Sequence, residues 1–393
     1  MKSQRLLLRM ISLLLMVCLV FSGCADAVVA EIEGKNVLPE EAKQEISVAI
    51  YPFVPDIGLF QSVLTEQWQE IEPDVELVFA DWNCYDYETC PDNIDVIMYD
   101  ALCTTYLAQE HFIQPISVDD VFEADKILPF ALEGAMVNGE LYGIPFLVCS
   151  YFLIHRADDE ALAAVDNFSE LYSVVMEREE DKRLLINYDM DYPYHYLDAL
   201  TDFRGEYTTY EELPDTKSPM QKPMDQLRKI KAMQTAEPNL PEDMPRDTFY
   251  RSKLFCDGHA SCYYGYSEDL SFMGDLVDDL EIRTISFSEK ENIQLFFADI
   301  VSMGAHVTDP EKKELCKKLM ALIGSKAFQQ ELCFGTGTAQ YMLPARFQIY
   351  EKAAQQYPMY ARLYELVTDE RNGIFRAGNG IYEYLENAYN DLG

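Results

Sequence analysis

Three short runs rich in Val, Ile and Phe limit how this chain can fold. ISVAIYPFV (46–54), VELVFADW (75–82) and IDVIMYD (94–100) each have the length and composition of a buried strand. Between the first two lies IGLFQSVLTEQWQEI (57–71), where Leu59, Val63, Trp68 and Ile71 recur at helical spacing. YLAQEHF (106–112) continues after the third run as a helix. Strand, helix, strand, strand, helix is the rhythm of a mainly parallel α/β sheet with helices on its faces. A chain of 393 residues exceeds what one such core can use, so two lobes are expected.

YGIPFLVCSYFLIHR (142–156) reads as extended, because Pro145 excludes a helix there. A second lobe is expected to begin near Asp158, with helices at 158–178 and 218–234 and strands in RLLINYD (183–189), SCYYGYS (261–267) and IRTISF (282–287). The apolar stretch around FFADI (296–300) reads as helical. DPEKKELCKKLMALIG (309–324) is an amphipathic helix capped by Asp309 and stopped by Gly324. The expected division is 46–152 with about 290–345 in one lobe, and 153–289 with about 346–393 in the other.

The N-terminus is of another kind. MKSQRLLLRMISLLLMVCLVFSGC carries Lys2, Arg5 and Arg9 and then a short apolar core, the pattern of a secretory signal over residues 1–23. Its end, FSGC, resembles a bacterial lipobox, which implies a lipid on Cys24 and a protein held outside the cell membrane by that lipid alone. An ordinary signal peptide, releasing the protein, is the alternative. Residues 24–45 read as a tether. Loss of the three basic residues lowers Lys+Arg from 31 to 28 against 68 Asp+Glu, so the net charge goes from −37 to −40. Such a chain repels nucleic acid and favours cationic ligands.

The ten cysteines include Cys84/Cys90 and Cys256/Cys262, each pair six residues apart and able to close a small loop; the sequence leaves their pairing open. With no Cys-x-x-Cys and five scattered histidines, no metal site is expected.

A lipobox, an opening strand–helix–strand unit, a turn NGELYGIPF into a crossover strand and a helical C-terminus together look like an extracellular solute-binding protein: two α/β lobes with a ligand cleft between them. Four stretches narrow this. VAIYPFVPD (48–56), YGIPFLVCSYFLIHR (142–156), YYGYSEDLSFM (263–273) and YMLPARFQIYEKAAQQYPMYARL (341–363) resemble the thiaminase I (thiamine pyridinylase) family, a group of secreted enzymes on that fold. The resemblance runs from about residue 46 to about 365. It implies a catalytic nucleophile at Cys149 and a general base at Glu268. It implies substrate contacts at Tyr51, Asp100, Tyr250, Tyr266 and Asp299, and a further cleft tyrosine at Tyr85 or Tyr87. Phe297 departs from the family's tyrosine at that position, keeping the ring and losing the hydroxyl. The implied partners are thiamine and an organic amine or thiol; the implied protein is a monomer that needs no cofactor.

The chemistry suits those residue types. Breaking the bond between the pyrimidine methylene and the thiazolium of thiamine requires an electron-rich atom to add to the pyrimidine ring. A thiol is a strong nucleophile but is mostly protonated at neutral pH, so a neighbouring carboxylate must take its proton. Acidic surroundings disfavour a resting thiolate. Each residue also has a plainer role. Cys149 suits an apolar core, Glu268 favours a helix start, Asp100 forms turns, and the tyrosines of YDMDYPYHYLD (188–198) receive no function. The competing reading is a non-catalytic lipoprotein that hands thiamine or a related ligand to an importer. Only the enzyme needs Cys149 and Glu268 to face one cavity.

Overall fold

Among the described residues, thirteen strands form in chain order: β1 Gln44–Ile50, β2 Val75–Asp81, β3 Val96–Asp100, β4 Met136–Val137, β5 Glu140–Leu141, β6 Gly143–Cys149, β7 Phe152–Arg156, β8 Leu184–Ile186, β9 Cys262–Gly265, β10 Leu280–Arg283, β11 Leu295–Met303, β12 Leu343–Pro344 and β13 Gly373–Ile374. The structure is a computed structural model and describes residues 44–50, 54–85, 93–206, 213–235, 249–290 and 292–393. The signal and the tether as far as residue 43, with Cys24, and also Tyr51, Tyr87 and Cys90, lie outside the described residues, while Gln44 and Glu45, expected to end the tether, already belong to β1.

One sheet has seven strands in the order β12-β6-β11-β3-β1-β2, with β13 also on β11; the other has four, β10-β7-β9-β8. β1 runs parallel to β2 and β3, while β11 runs antiparallel to β3 and β6. The expected α/β class forms, with a mixed sheet in each half, but neither sheet is mainly parallel as expected: in the first, β11 pairs antiparallel with β3 and β6 and β12 with β6, and in the second β10-β7 and β7-β9 are antiparallel and only β8-β9 is parallel. Strands β3 and β11 are buried along their whole length, which explains why they read as unbroken apolar runs rather than alternating ones.

Several local expectations change. The stretch around Asp299 is strand β11 and not a helix: a nine-residue apolar run between two strands satisfies its backbone in the ladder, and periodicity cannot separate the two states at that length. The helix Ile57–Ile71, capped by Asp56 through Leu59 N–H, buries Phe60, Val63, Leu64 and Trp68 and leaves Ile71 exposed. Residues 158–178 hold two helices, Glu160–Ala163 and Phe168–Val175, each started by its own cap, Asp159 and Asn167. The helix Pro310–Ile323 has the expected Asp309 cap. β13 lies within the stretch assigned by sequence to the second lobe, yet it pairs with β11 of the first sheet, because two residues there extend a ladder already present. After it, the helix Ile381–Asp391 reaches back to both parts: Tyr382 donates to the Cys84 carbonyl at 2.5 Å, and Tyr384 to the Pro193 carbonyl at 3.3 Å.

The run 142–156 is two strands, not one. β6 ends in the first sheet at Cys149, and β7 starts in the second at Phe152. Ser150 and Tyr151 make the crossing and are buried; the Ser150 hydroxyl donates to the Leu295 carbonyl at 2.5 Å and receives Gln294 at 2.7 Å.

Candidate active site

The register of three strands builds one side of the site. Asp299 of β11 stands directly opposite Asp100, the last residue of β3. On its other flank, β11 sets Phe297 opposite Cys149 and Asp299 opposite Leu147. Directly opposed residues share a face, as do residues two apart. Cys149, Phe297, Asp299 and Asp100 therefore occupy one face, where β3 and β6 end.

Cys149 reaches that face through a bulge. Below it the pairs are Ser302–Gly143, Val301–Ile144 and Ile300–Pro145; above it they are Asp299–Leu147 and Phe297–Cys149, so Phe146 is the extra residue on β6. A one-residue slip exchanges the faces of a strand. Without it, Cys149 would oppose Phe296 and point away from both aspartates. Pro145 has no N–H to give, and it sits where the ladder is broken.

The second sheet supplies the other side. β7 and β9 pair Phe152 with Gly265, so the chain continues past that pair to set Tyr151 beside Tyr266. Their hydroxyls are 2.9 Å apart and their ring centroids 4.8 Å apart. A Cβ on Gly265 would come within 2.5 Å of the Tyr263 ring, which accounts for the glycine of GYSE. Glu268 follows two residues after Tyr266, in the 3-10 helix Ser267–Phe272, and Ser267 donates to its carboxylate at 3.1 Å. Cys149 stands two residues before Tyr151 and Glu268 two after Tyr266, so the one antiparallel contact brings thiol and acid together.

The electrostatics follow from this crowding. Cys149 is half-buried, with part of its surface open. Burial, followed by the charges of Glu268, Asp299 and Asp100, pushes its thiol well above the ordinary range, so the resting group is neutral. Burial pushes Glu268 up to about 8, with Asp269 adding to the shift and the Ser267 hydrogen bond opposing it. Burial pushes Asp100 up to about 7, against hydrogen bonds from the Leu102 N–H at 2.7 Å and from Tyr85. Tyr85, one of the two tyrosines left open by sequence, thus meets Asp100; the other, Tyr87, is outside the described residues.

Tyr250 opens the helix Tyr250–Cys256, which packs against the Glu268 helix, and is buried. Phe297 is buried in an aromatic cluster, stacked on Phe375 at 4.5 Å and edge-on to Tyr194 at 5.4 Å and Tyr151 at 5.8 Å. Three residues that sequence reasoning passed over adjoin the site: Tyr151, Asp191 and Asp269. Tyr151 carries a signal in its place two residues after Cys149; the other two carry none.

None of the described cysteines forms a disulfide. Cys256 and Cys262 are separate thiols, and Cys84 lies against Cys103, whose Sγ is 3.7 Å from the Cys84 carbonyl.

Asp100, Asp191, Glu268 and Asp269 hold their protons to about pH 7 or 8 in the folded chain. The unfolded chain releases them near pH 4. Between those values the folded state binds more protons, so their contribution is complete below about pH 4 and is lost as pH rises through 7 to 8. Thermal unfolding is expected at a higher temperature at pH 5.5 than at pH 8.5. Asp100→Asn should flatten that decline. A Tm that climbs from pH 5.5 to 8.5 would contradict these burial-driven shifts.

A Thiaminase-1 domain model matches residues 150–288. A thiaminase-1 of Paenibacillus thiaminolyticus is 34% identical over 377 residues, covering 92% of this chain and 91% of that protein. The structure of a Clostridium botulinum thiaminase I in complex with thiamin superposes with a TM-score of 0.83 at 30% identity, covering 88% of this chain and 98% of that one. A maltose-bound T. maritima protein shares the fold at 15% identity, with a TM-score of 0.65 over 88% of this chain and 98% of that one.

Proposed function

We propose that this chain, which belongs to the thiaminase I family, cleaves thiamine through a covalent bond between Cys149 and the pyrimidine ring. The activity itself, thiamine degradation, follows from membership. The observation that supports the route is the convergence of a half-open neutral thiol with a carboxyl that titrates at about 8.

Thiamine brings a cationic thiazolium into a pocket bordered by Glu268, Asp299 and Asp100. A positive charge there favours the ionised form of each acid, so substrate binding itself generates the base. Glu268 takes the Cys149 proton as sulfur adds to the pyrimidine carbon. Asp100 and Asp299 bind the amino group and a protonated ring nitrogen, stabilising the charge that develops as the ring accepts the sulfur. The adduct expels neutral thiazole. An organic amine or thiol then adds to the exocyclic methylene that the thiazole left and gives up its own proton to solvent; the Cys149–carbon bond breaks as the ring regains its aromaticity, and the departing sulfur recovers its proton from Glu268. Tyr85, Tyr250, Tyr266 and Phe297 wall a flat ring and exclude water. The same reading carries the Cys24 lipid anchor, a position outside the membrane, and a single-chain enzyme.

One experiment tests both parts. Cells producing the full chain are fractionated, and each fraction is incubated with thiamine and aniline. Thiamine loss with formation of the aniline–pyrimidine product is expected in the membrane fraction, moving to the medium for Cys24→Ala. Persistence of thiamine in every fraction would leave the importer-receptor alternative. Activity unaffected by Cys24→Ala would remove the anchor.

A further inference from the structure

Two turns of the first half carry residues of the candidate site, and one hydroxyl from the far end of the chain meets both. Past the end of β2, the Tyr85 N–H donates to Asn83 Oδ1 at 3.0 Å, closing a tight turn with Cys84 at its middle. Past β3, the Leu102 N–H donates to Asp100 Oδ1 at 2.7 Å, opening the 3-10 turn Ala101–Cys103. Cys84 and Cys103 are both fully buried. The Cys103 thiol donates to the Cys84 carbonyl at 3.7 Å, so the two turns touch. Tyr382 closes on that junction. Its hydroxyl donates to the Cys84 carbonyl at 2.5 Å and lies 3.5 Å from the Cys103 sulfur. Its ring stands edge-on to Tyr106 of the helix Thr104–Gln109, with centroids 4.7 Å apart.

Tyr382 opens the helix Ile381–Asp391, and the rest of that helix is fastened to the second half. Tyr384 donates to the Pro193 carbonyl at 3.3 Å, Tyr389 to the Met190 carbonyl at 2.7 Å, and Tyr192 to the Tyr389 carbonyl at 2.7 Å. Thr216 donates to Asp391 at 2.7 Å. Met190, Tyr192 and Pro193 all belong to the helix Tyr188–Arg204, which follows β8 of the smaller sheet. A carbonyl at the middle of a buried turn lies outside the strand ladder and needs a donor from elsewhere. A phenylalanine at 382 would fill the same volume against Tyr106 and leave that carbonyl to a weak thiol donor. We infer that Tyr382 is a positioning residue for the reaction: from a helix anchored on the second half, its hydroxyl fixes the two first-half turns that present Tyr85 and Asp100 to the ligand. The inference rests on the reading that Asp100 binds thiamine. It makes the placement of those two groups depend on the C-terminal helix as well as on their own strands.

The test is thiamine binding by calorimetry to the mature chain carrying Cys149→Ser, with Tyr382→Phe, Asp100→Asn and the two together added to it. Tyr382→Phe keeps the ring and removes only the hydroxyl. It is expected to weaken thiamine binding about fivefold, the size of one neutral hydrogen bond. Asp100→Asn should weaken binding by itself. The double change should cost less than the product of the two, because the turn that Tyr382 holds then no longer presents the carboxylate. A purely structural defect would lower the melting temperature and the number of binding sites per chain, and leave the dissociation constant of the folded fraction where it was. An affinity within twofold of the parent, in a Tyr382→Phe chain that circular dichroism shows folded, overturns the inference. So do losses that simply multiply. If Asp100→Asn weakens binding and Tyr382→Phe does not, the positioning role alone falls; if Asp100→Asn binds thiamine as the parent does, the reading of Asp100 falls and the inference with it.

Discussion

Cys149→Ser is expected to lower thiamine turnover by at least about 10⁴-fold while leaving thiamine affinity within about threefold of the unmutated chain. The two side chains are nearly isosteric, so the pocket should keep its shape. What changes is the acidity and nucleophilicity of the attacking atom. The Cys149 thiol already sits well above its ordinary pKa because it is buried among Glu268, Asp299 and Asp100. A serine hydroxyl in the same place is far harder still to ionise, and a carboxylate that titrates at about 8 is too weak a base to compensate. The loss should therefore fall on kcat and not on KM. Mass spectrometry of the unmutated chain, quenched without added amine, should show one pyrimidine per protein, and the serine variant none. Residual turnover above about 1% in the variant would assign the attack to another atom.

Glu268→Gln is expected to reduce kcat by about 10²- to 10⁴-fold, the range supplied by general base catalysis. The pH profile separates this from a packing effect. A base must be ionised to act, and burial holds Glu268 protonated up to about 8. In the unmutated chain kcat/KM should thus rise with pH through about 8 and then flatten. The corresponding limb in kcat should lie lower, since the bound thiazolium favours the carboxylate. Glutamine cannot titrate, so both limbs should vanish in the variant. Its thermal stability at pH 8.5 should also increase, because a group that is destabilised when ionised has been replaced by one that never ionises. A variant that keeps its rising limb and kcat within tenfold would place the base elsewhere.

The residues that converge here were named from the resemblance of their local motifs to the thiaminase I family and not from pattern alone, and each of those motifs ends or follows a strand with a recognisable apolar run. Cys149 closes GIPFLVC, Asp100 closes VIMYD, and Glu268 comes just after CYYG. The pairing of those strands was not legible. Which strand lies beside which depends on long-range contacts, and the bulge at Phe146 that turns Cys149 toward the aspartates leaves one local mark, Pro145. Asp299 was seen as a candidate in the wrong element, since LFFADIVSM offers neither a period of two nor a polar face. The role of YDMDYPYHYLD was hidden for the opposite reason. The helix it forms is buried without a break from Asp191 through Asp202, so no amphipathic stripe marks which tyrosine or aspartate faces the cleft.

The attacking sulfur and the acid that deprotonates it are carried by different sheets: Cys149 ends β6 of the larger one, and Glu268 follows β9 of the smaller. Any hinge movement of one half against the other changes the separation of this couple before it changes anything within either half. The couple exists only at one spacing of the two sheets: a wider gap would leave the sulfur without its base.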